Sequence, residues 1–393
     1  MSQQRSPILT FGFAYALSVC AASLHGRFNA LPETIMQAYA LKPSGFGWLI
    51  SLANLAPLLL AGVAGSWIWV LGMKRSLILG AVLQGGFAIG TTFSRDTAWA
   101  FLLRGFEGFP YLVIVVAAPT LIAMSASGPY QTRLLAFWGT YFFVGVSFAS
   151  FTGTWGADQI GWRNAFLLMA LCQVVLCGPA TRSIGRITDA AKAIRNENVR
   201  LSAGVWLLCM GFFGIALMAV SLPSIVPLFL SDQLGFDPKQ AGVVVGFAVF
   251  ASAGGSILYG LYGHRVPDHS FGVTASGLAA LSLTSLFSLG PGNQDLAKML
   301  CLISFVALGS LTAMAIAAIP KLATDVRCIA VANGLLTQAG SAGALLGPPM
   351  YLYLFQSFGW LNVKVFALLV VTSTAVLLYF ALRSNRSSKR RHQ

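Results

Sequence analysis

Long apolar runs separated by short polar breaks organise the chain, and most runs are apolar on every face, so no soluble-protein amphipathic period is visible. About 20 such residues cross a bilayer as one helix. The breaks predict spans at 7–39, 46–67, 75–92, 98–124, 134–154 and 163–179. After a polar, basic stretch they predict six more, at 203–230, 241–262, 271–289, 297–320, 329–355 and 361–382. The first span is expected to be long or interrupted, because its apolar run continues through His25, Arg27 and Pro32. More spans follow it at once and it has no convincing small-residue cleavage site, so it does not read as a cleaved signal peptide.

Composition narrows the class to an all-α integral membrane protein. Of 393 residues, 56% are hydrophobic and 9% charged, against about 25% charged in soluble domains. The net charge of +14 would suggest nucleic acid in a soluble chain. Here the basic residues sit mostly between apolar runs, where they orient a membrane protein. Cys20, Cys172, Cys177, Cys209, Cys301 and Cys328 lie in or beside apolar runs without metal-ligand spacing, and read as small buried hydrophobes.

Placing both termini in the cytoplasm gathers most basic residues on that side: Arg5, Lys74 and Arg75, Arg133, Arg265, Lys321 and Arg327, and the tail from Arg383 to Arg391. Arg182, Arg186, Lys192, Arg195 and Arg200 of the central stretch join them. Arg27, Lys42, Arg95, Arg163, Lys239, Lys298 and Lys364 fall outside, a bias in the direction the positive-inside rule requires. An odd number of spans would spoil it.

The halves also echo each other. Pro32, Pro43 and Trp69 recur by position as Pro227, Pro238 and His264, and Trp162 as Trp360. This predicts an N-terminal six-helix bundle over 1–180, a basic cytoplasmic linker over 181–200, a C-terminal six-helix bundle over 201–382 and a basic cytoplasmic tail over 383–393. Such repeats build transporters that work by alternating access.

These residues resemble the major facilitator superfamily over essentially the whole chain. The family's loop after span two usually carries glycines, an Asp-Arg pair and a basic end; here Gly65, Gly72, Lys74 and Arg75 remain, while Trp69 and Val70 replace the pair. The counterpart after span eight keeps Gly260 and Arg265, with His264 at the acidic position and Pro267 at the last glycine. The resemblance makes these retained residues candidates for conformational gating, while the loss of the acidic group implies that another contact holds the outward-facing state. Arg104 followed by Gly108 resembles the family's arginine motif of span four, and Gly161-Trp162-Arg163 with Phe166 its common start of span six. Arg27 ahead of Leu31-Pro32 and a glycine-rich span eleven resemble the cyanate and nitroimidazole transporter group within it. The run Gly139 to Ser150 lacks the Gly-Pro of many drug/proton antiporters.

Charge inside the hydrocarbon region is costly unless it faces a cavity or a partner, so it marks candidate chemistry. Arg104 and Glu107 are three apart on one helical face. They read either as a mutual structural pair or as a substrate arginine beside a proton-exchanging carboxylate; the resemblance puts span four beside the central cavity. Arg27 reads either as an anchor snorkelling to the outer headgroups or as a planar fork for an anion. Arg27 and Arg104 are therefore candidates for an anionic substrate, with Tyr141, Asn333 and Gln338 as further substrate-binding candidates. Glu107, His25 and Glu33 are candidates for proton coupling, although His25 also reads as a satisfied polar histidine. The glycines of span eleven, Gly334 to Gly347, read as packing sites.

The sequence thus predicts a secondary active transporter that moves a small organic or anionic solute by alternating access, coupled to protons and driven by a solute or proton gradient, in a bacterial inner or plasma membrane. Its expected partners are that solute, protons and lipid, as a monomer without cofactor, metal or nucleic acid. Proton-driven efflux of drugs or toxic metabolites is the alternative within the class, and a non-transporting receptor on a transporter scaffold the alternative outside it. No metal-ligand cluster or nucleophile-base pair suggests an enzyme, and no phosphate loop suggests drive by ATP.

Overall fold

The computed structural model describes residues 7–126, 128–184, 201–322 and 326–390, with side-chain surroundings left aside at 65, 66, 69, 128, 129, 132, 136, 264, 326, 327, 330 and 384–390. Arg5, Arg186, Lys192, Arg195, Arg200 and Arg391 lie outside the described residues, as do the surroundings of Gly65, Trp69, His264 and Arg327.

Among the described residues all regular structure is helical. The predicted first span is α1 (Pro7–Gly26), a 3-10 turn over Arg27–Ala30, and α2 (Pro32–Ala38). The second is α3 (Pro43–Ser51), a 3-10 turn over Leu52–Asn54, and α4 (Leu55–Leu71). The third and fourth are α5 (Met73–Phe93) and α6 (Thr97–Ser125). The fifth starts in α7 (Gly128–Trp138), breaks at Gly139 and Thr140, and continues as α8 (Tyr141–Ile160); the sixth is α9 (Trp162–Ser183). The last six are α10 (Ala203–Leu234), α11 (Pro238–Tyr262), α12 (Asp268–Leu286), α13 (Gln294–Leu322), α14 (Val326–Phe358) and α15 (Trp360–Arg390). The last helix therefore runs on past the residue where the basic tail was expected to begin.

Local chemistry explains the boundaries. Asp96 caps α6 by accepting from the amides of Ala98 (2.7 Å) and Trp99 (3.3 Å), donors that would otherwise lack a partner. Asp237 does the same for Lys239 ahead of Pro238, which needs no donor at a first helical position. Two helix junctions are single glycines followed by tryptophan: Gly161 at φ +80° before Trp162, and Gly359 at φ +75° before Trp360. Only glycine adopts that backbone without a Cβ clash, and the matching pair is the repeat seen in the sequence.

Nine described helices are long and apolar enough to cross a membrane. The predicted fifth and ninth spans are not among them, because the Gly, Ser and Thr residues of α8 and α12 lower their hydropathy; α14, of the predicted eleventh, is rich in the same residues. Many of those hydroxyls bond the carbonyl one turn back, as Ser150, Ser282 and Ser341 do. The large apolar side chains that remain exposed, such as Leu59, Val70, Leu168, Val175 and Leu281, suit hydrocarbon rather than water.

Contacts divide the chain into two compact units, Met1–Leu31 with Leu52–Arg195, and Pro32–Ser51 with Asn196–Gln393. In the first, α1 packs on α6, α8 and α9, α5 on α6 and α9, and α4 on α6. In the second, α10 packs on α13, α14 and α15, α12 on α13 and α15, and α11 on α13. Each partnership in the first unit recurs between the corresponding spans of the second. One core holds Leu17, Leu77, Leu112, Ile114 and Leu121; the other holds Leu208, Leu311, Met314, Ile319 and Leu378. Close helix approach repeats too: Gly108 of α6 lies on the Ala53 carbonyl, and Gly309 of α13 on the Ser252 carbonyl.

Candidate functional site

The fully buried Arg27, Arg104 and Glu107 come together in the first unit. Sequence spacing puts Arg104 and Glu107 one turn apart on α6. The break in α1 brings Arg27 to them. Arg27 Nη1 and Nη2 donate to Glu107 Oε1 (2.7 Å) and Oε2 (3.0 Å), a two-pronged pair, and Arg104 Nη1 donates to Oε1 at 2.9 Å.

The same guanidinium groups serve the backbone. Where α1 gives way to the 3-10 turn, its last carbonyls lose their helical donors. Arg27 Nη1 donates to the Leu24 carbonyl at 2.5 Å, Arg104 Nη1 reaches the same oxygen at 3.4 Å, and Arg104 Nη2 donates to the His25 carbonyl. Phe28 offers its ring to both cations, 4.5 Å from Arg27 Cζ and 5.3 Å from Arg104 Cζ. Two guanidiniums against one carboxylate leave the cluster one positive charge in excess. Arg27 Nε is buried without a hydrogen-bond partner.

An aromatic and polar wall adjoins the cluster. His25 is buried, stacks on Tyr111 at 4.5 Å between centroids, and has Asn54 Nδ2 3.4 Å from its Nε2. The Tyr111 hydroxyl lies 3.4 Å from that of half-buried Tyr141, which stacks on Trp138 at 4.6 Å. Phe142 meets His25 edge-on.

The structure thus joins five of the predicted residues: Arg27, Arg104, Glu107, His25 and Tyr141. Arg27 is fully buried and paired with Glu107. Glu33 is exposed in the first turn of α2, grouped with the second unit. Asn333 is exposed and Gln338 half-buried on α14, also in the second unit. Among the gating candidates, Gly72 adopts φ +85° before α5, Lys74 is half-buried, Arg75 is exposed, Gly260 faces open space, and Arg265 lies over the Tyr262 ring at 5.2 Å.

Sequence reasoning missed Asn54, Tyr111 and Phe28. A lone amide inside the apolar second span was the available signal for Asn54; nothing distinguished the two aromatics from their many neighbours. It also missed a contact near the degraded loop after span eight. Asp268 at the start of α12 accepts from the Tyr259 hydroxyl of α11 (3.0 Å) and pairs with Lys321 of α13 (2.6 Å).

Comparison with known proteins decides the family. The Major Facilitator Superfamily model matches residues 11–327 and 208–393. The chain belongs to the major facilitator superfamily. It is 26% identical over 330 residues to the 3-(3-hydroxy-phenyl)propionate transporter of Escherichia coli (strain K12), spanning 80% of this chain and 78% of that one. Its fold is similar to crystal structures of a bacterial homologue of the human lysosomal transporter Spinster. The inward-facing occupied form gives a TM-score of 0.76 at 12% identity, covering 97% of this chain and 96% of that one. The inward-facing unoccupied form gives 0.72 at 15%, covering 98% and 96%. The protein is a multi-pass membrane protein of a transporter family.

Proposed function

We propose that this superfamily member moves a small organic anion across the membrane by alternating access, in symport with protons. The observation that carries the reading is the buried Arg27–Glu107–Arg104 cluster with its single positive charge in excess. The two guanidiniums share one carboxylate, and a carboxylate from a substrate matches the donors they present. Arg27 Nε is a donor still to be satisfied, and guanidinium forks match carboxylates in shape as well as charge. The aromatic wall of Tyr111, Tyr141, Phe142 and Trp138 suits an aromatic ring attached to that carboxylate, as does the name of the Escherichia coli relative.

Proton coupling follows from competition for the same two arginines. A proton on Glu107 removes its negative charge and frees the guanidiniums for the substrate carboxylate. Anion and proton together leave the cluster's charge as it was, so the loaded site carries no further electrostatic burden. We place the protein in a bacterial inner or plasma membrane with both termini cytoplasmic, from the distribution of basic residues. It acts as a monomer, because one chain supplies both halves of the repeat.

The test is uptake of radiolabelled 3-(3-hydroxyphenyl)propionate and related aromatic carboxylates into proteoliposomes under an imposed pH gradient. Accumulation that collapses with the gradient and falls at least tenfold in Arg27→Met is expected. Transport of cationic or neutral compounds with no anion flux would overturn the anion reading. Full gradient-driven accumulation by Glu107→Gln would overturn the coupling assignment alone.

A further inference from the structure

Among the described residues, few buried polar side-chain atoms lack a hydrogen-bond partner. Unpartnered hydroxyls such as those of Ser252, Ser276 and Tyr351 can rotate about their C–O bonds to find one. Arg27 Nε and His25 Nδ1 cannot, because each is fixed in the plane of its group. These two nitrogens stand two residues apart, where α1 gives way to its 3-10 turn. The proposed carboxylate site accounts for Arg27 Nε. It does not account for His25 Nδ1.

The surroundings of the imidazole decide which nitrogen carries its hydrogen. Asn54 Nδ2, an amide nitrogen that only donates, lies 3.4 Å from His25 Nε2. Nε2 is therefore the acceptor, and a neutral ring holds its hydrogen on Nδ1. Tyr111 stacks on the ring at 4.5 Å between centroids, and Phe142 meets it edge-on at 6.2 Å. Arg104 holds the backbone of the same residue through its carbonyl, which fixes the direction of the donor. No protein acceptor reaches Nδ1, in a residue only 3% exposed. A buried donor left unpaired is costly, and a ligand that brings an acceptor removes that cost.

We infer that His25 is a specificity-determining residue that reads a hydroxyl on the ring of the carried acid, with Asn54 as the positioning residue that keeps the imidazole in its donating tautomer. This role rests on the proposed transport of an aromatic carboxylate and narrows that class to its hydroxylated members. With the carboxylate on Arg27 and Arg104, the ring lies along the wall of Tyr111, Tyr141 and Phe142, and the His25 Nδ1–H donates to the phenolic oxygen. An acid without the hydroxyl turns a C–H edge to the same nitrogen and leaves the donor unpaired. Sites built to hydrogen-bond a substrate hydroxyl reject the analogue lacking it far more strongly than apolar pockets reject a change of size. In this assignment His25 carries no coupled proton, which stays with Glu107.

The test is gradient-driven uptake by the full chain in proteoliposomes of 3-phenylpropionate and of its ring-hydroxylated isomers, read as the ratio of kcat/KM for the best isomer to that for the unsubstituted acid. The parent is expected to favour the hydroxylated acid by about tenfold or more. His25→Phe keeps a stacking ring without an N–H, so the ratio should fall to about one while uptake of 3-phenylpropionate persists. His25→Asn puts an amide where Nδ1 stood and should restore part of the ratio, whereas Asn54→Ala, which releases the tautomer, should lower it. If His25→Phe does not fold, Asn54→Ala decides. A histidine that only holds the fold, or whose Nδ1–H is satisfied by water, would leave the ratio unchanged in every variant. That result, or a parent ratio near one, would overturn the role of His25 and leave the anion reading standing. Uptake of none of these acids by the parent would take down the anion reading, and the role of His25 with it.

Discussion

At the scale of single residues, charge balance governs the cluster. Removing one member of a buried ion pair leaves an unpaired charge and destabilises by about 3–5 kcal/mol. Here the members are not equivalent. Glu107→Gln strands two adjacent buried cations, whereas Arg27→Met leaves the neutral pair of Arg104 and Glu107 intact. Thermal unfolding in detergent is therefore expected to show the larger loss in Glu107→Gln, with Arg27→Met well short of it. Equal losses would mean that Arg27 serves mainly to hold the Leu24 carbonyl. The i,i+3 spacing of Arg104 and Glu107 was legible along the chain. The partner that completes them lies 80 positions away, and no local pattern could assign it.

Among elements, glycine contacts set how closely helices approach. Gly47 meets the backbone of Pro348 and Pro349, which cannot swing aside as a side chain could. Gly47→Ala should thus force α3 from α14 and cost about 1–3 kcal/mol, the usual range for overpacking. Gly86 sits inside α5 with open space around its Cβ position, so Gly86→Ala should be neutral or stabilising by about 0.4–1 kcal/mol through helix propensity and unfolded-state entropy. Measured side by side, the melting temperature should fall in Gly47→Ala and hold or rise in Gly86→Ala. In the sequence both read as small residues in apolar runs, and only the neighbour across the crossing separates them. The interruption of the first span was foreseeable from His25, Arg27 and Pro32, and the break at Leu52–Asn54 has a matching signal in Pro57, which cannot donate to the Ala53 carbonyl one turn back.

For the whole molecule, the ends of the helices carry the orienting charges. Lys74, Arg75, Arg182, Arg265, Lys321 and Arg383 stand at one set of predicted helix ends, against Lys42, Arg95, Arg163, Lys239, Lys298 and Lys364 at the other. Counting the central stretch and the tail with the first set favours a cytoplasmic C-terminus. A fluorescent protein fused after Gln393 is expected to fluoresce in cells, and alkaline phosphatase fused at the same point to be inactive. The reverse pair of results would invert the orientation.

Hydrophobic run length, charge spacing and repeated Gly-Trp signals are properties of the chain as a string, and they determined the helices, their order and the family. Lipid as solvent makes them decisive, because a segment in hydrocarbon must satisfy its own backbone. Tertiary structure alone decided that Arg27 faces Glu107, that Asn54 reaches His25, and that Asp268 ties Tyr259 to Lys321. Those pairings depend on where helices cross, and crossings are set by atoms from distant segments meeting at a few ångströms, a distance that no periodicity along one helix encodes.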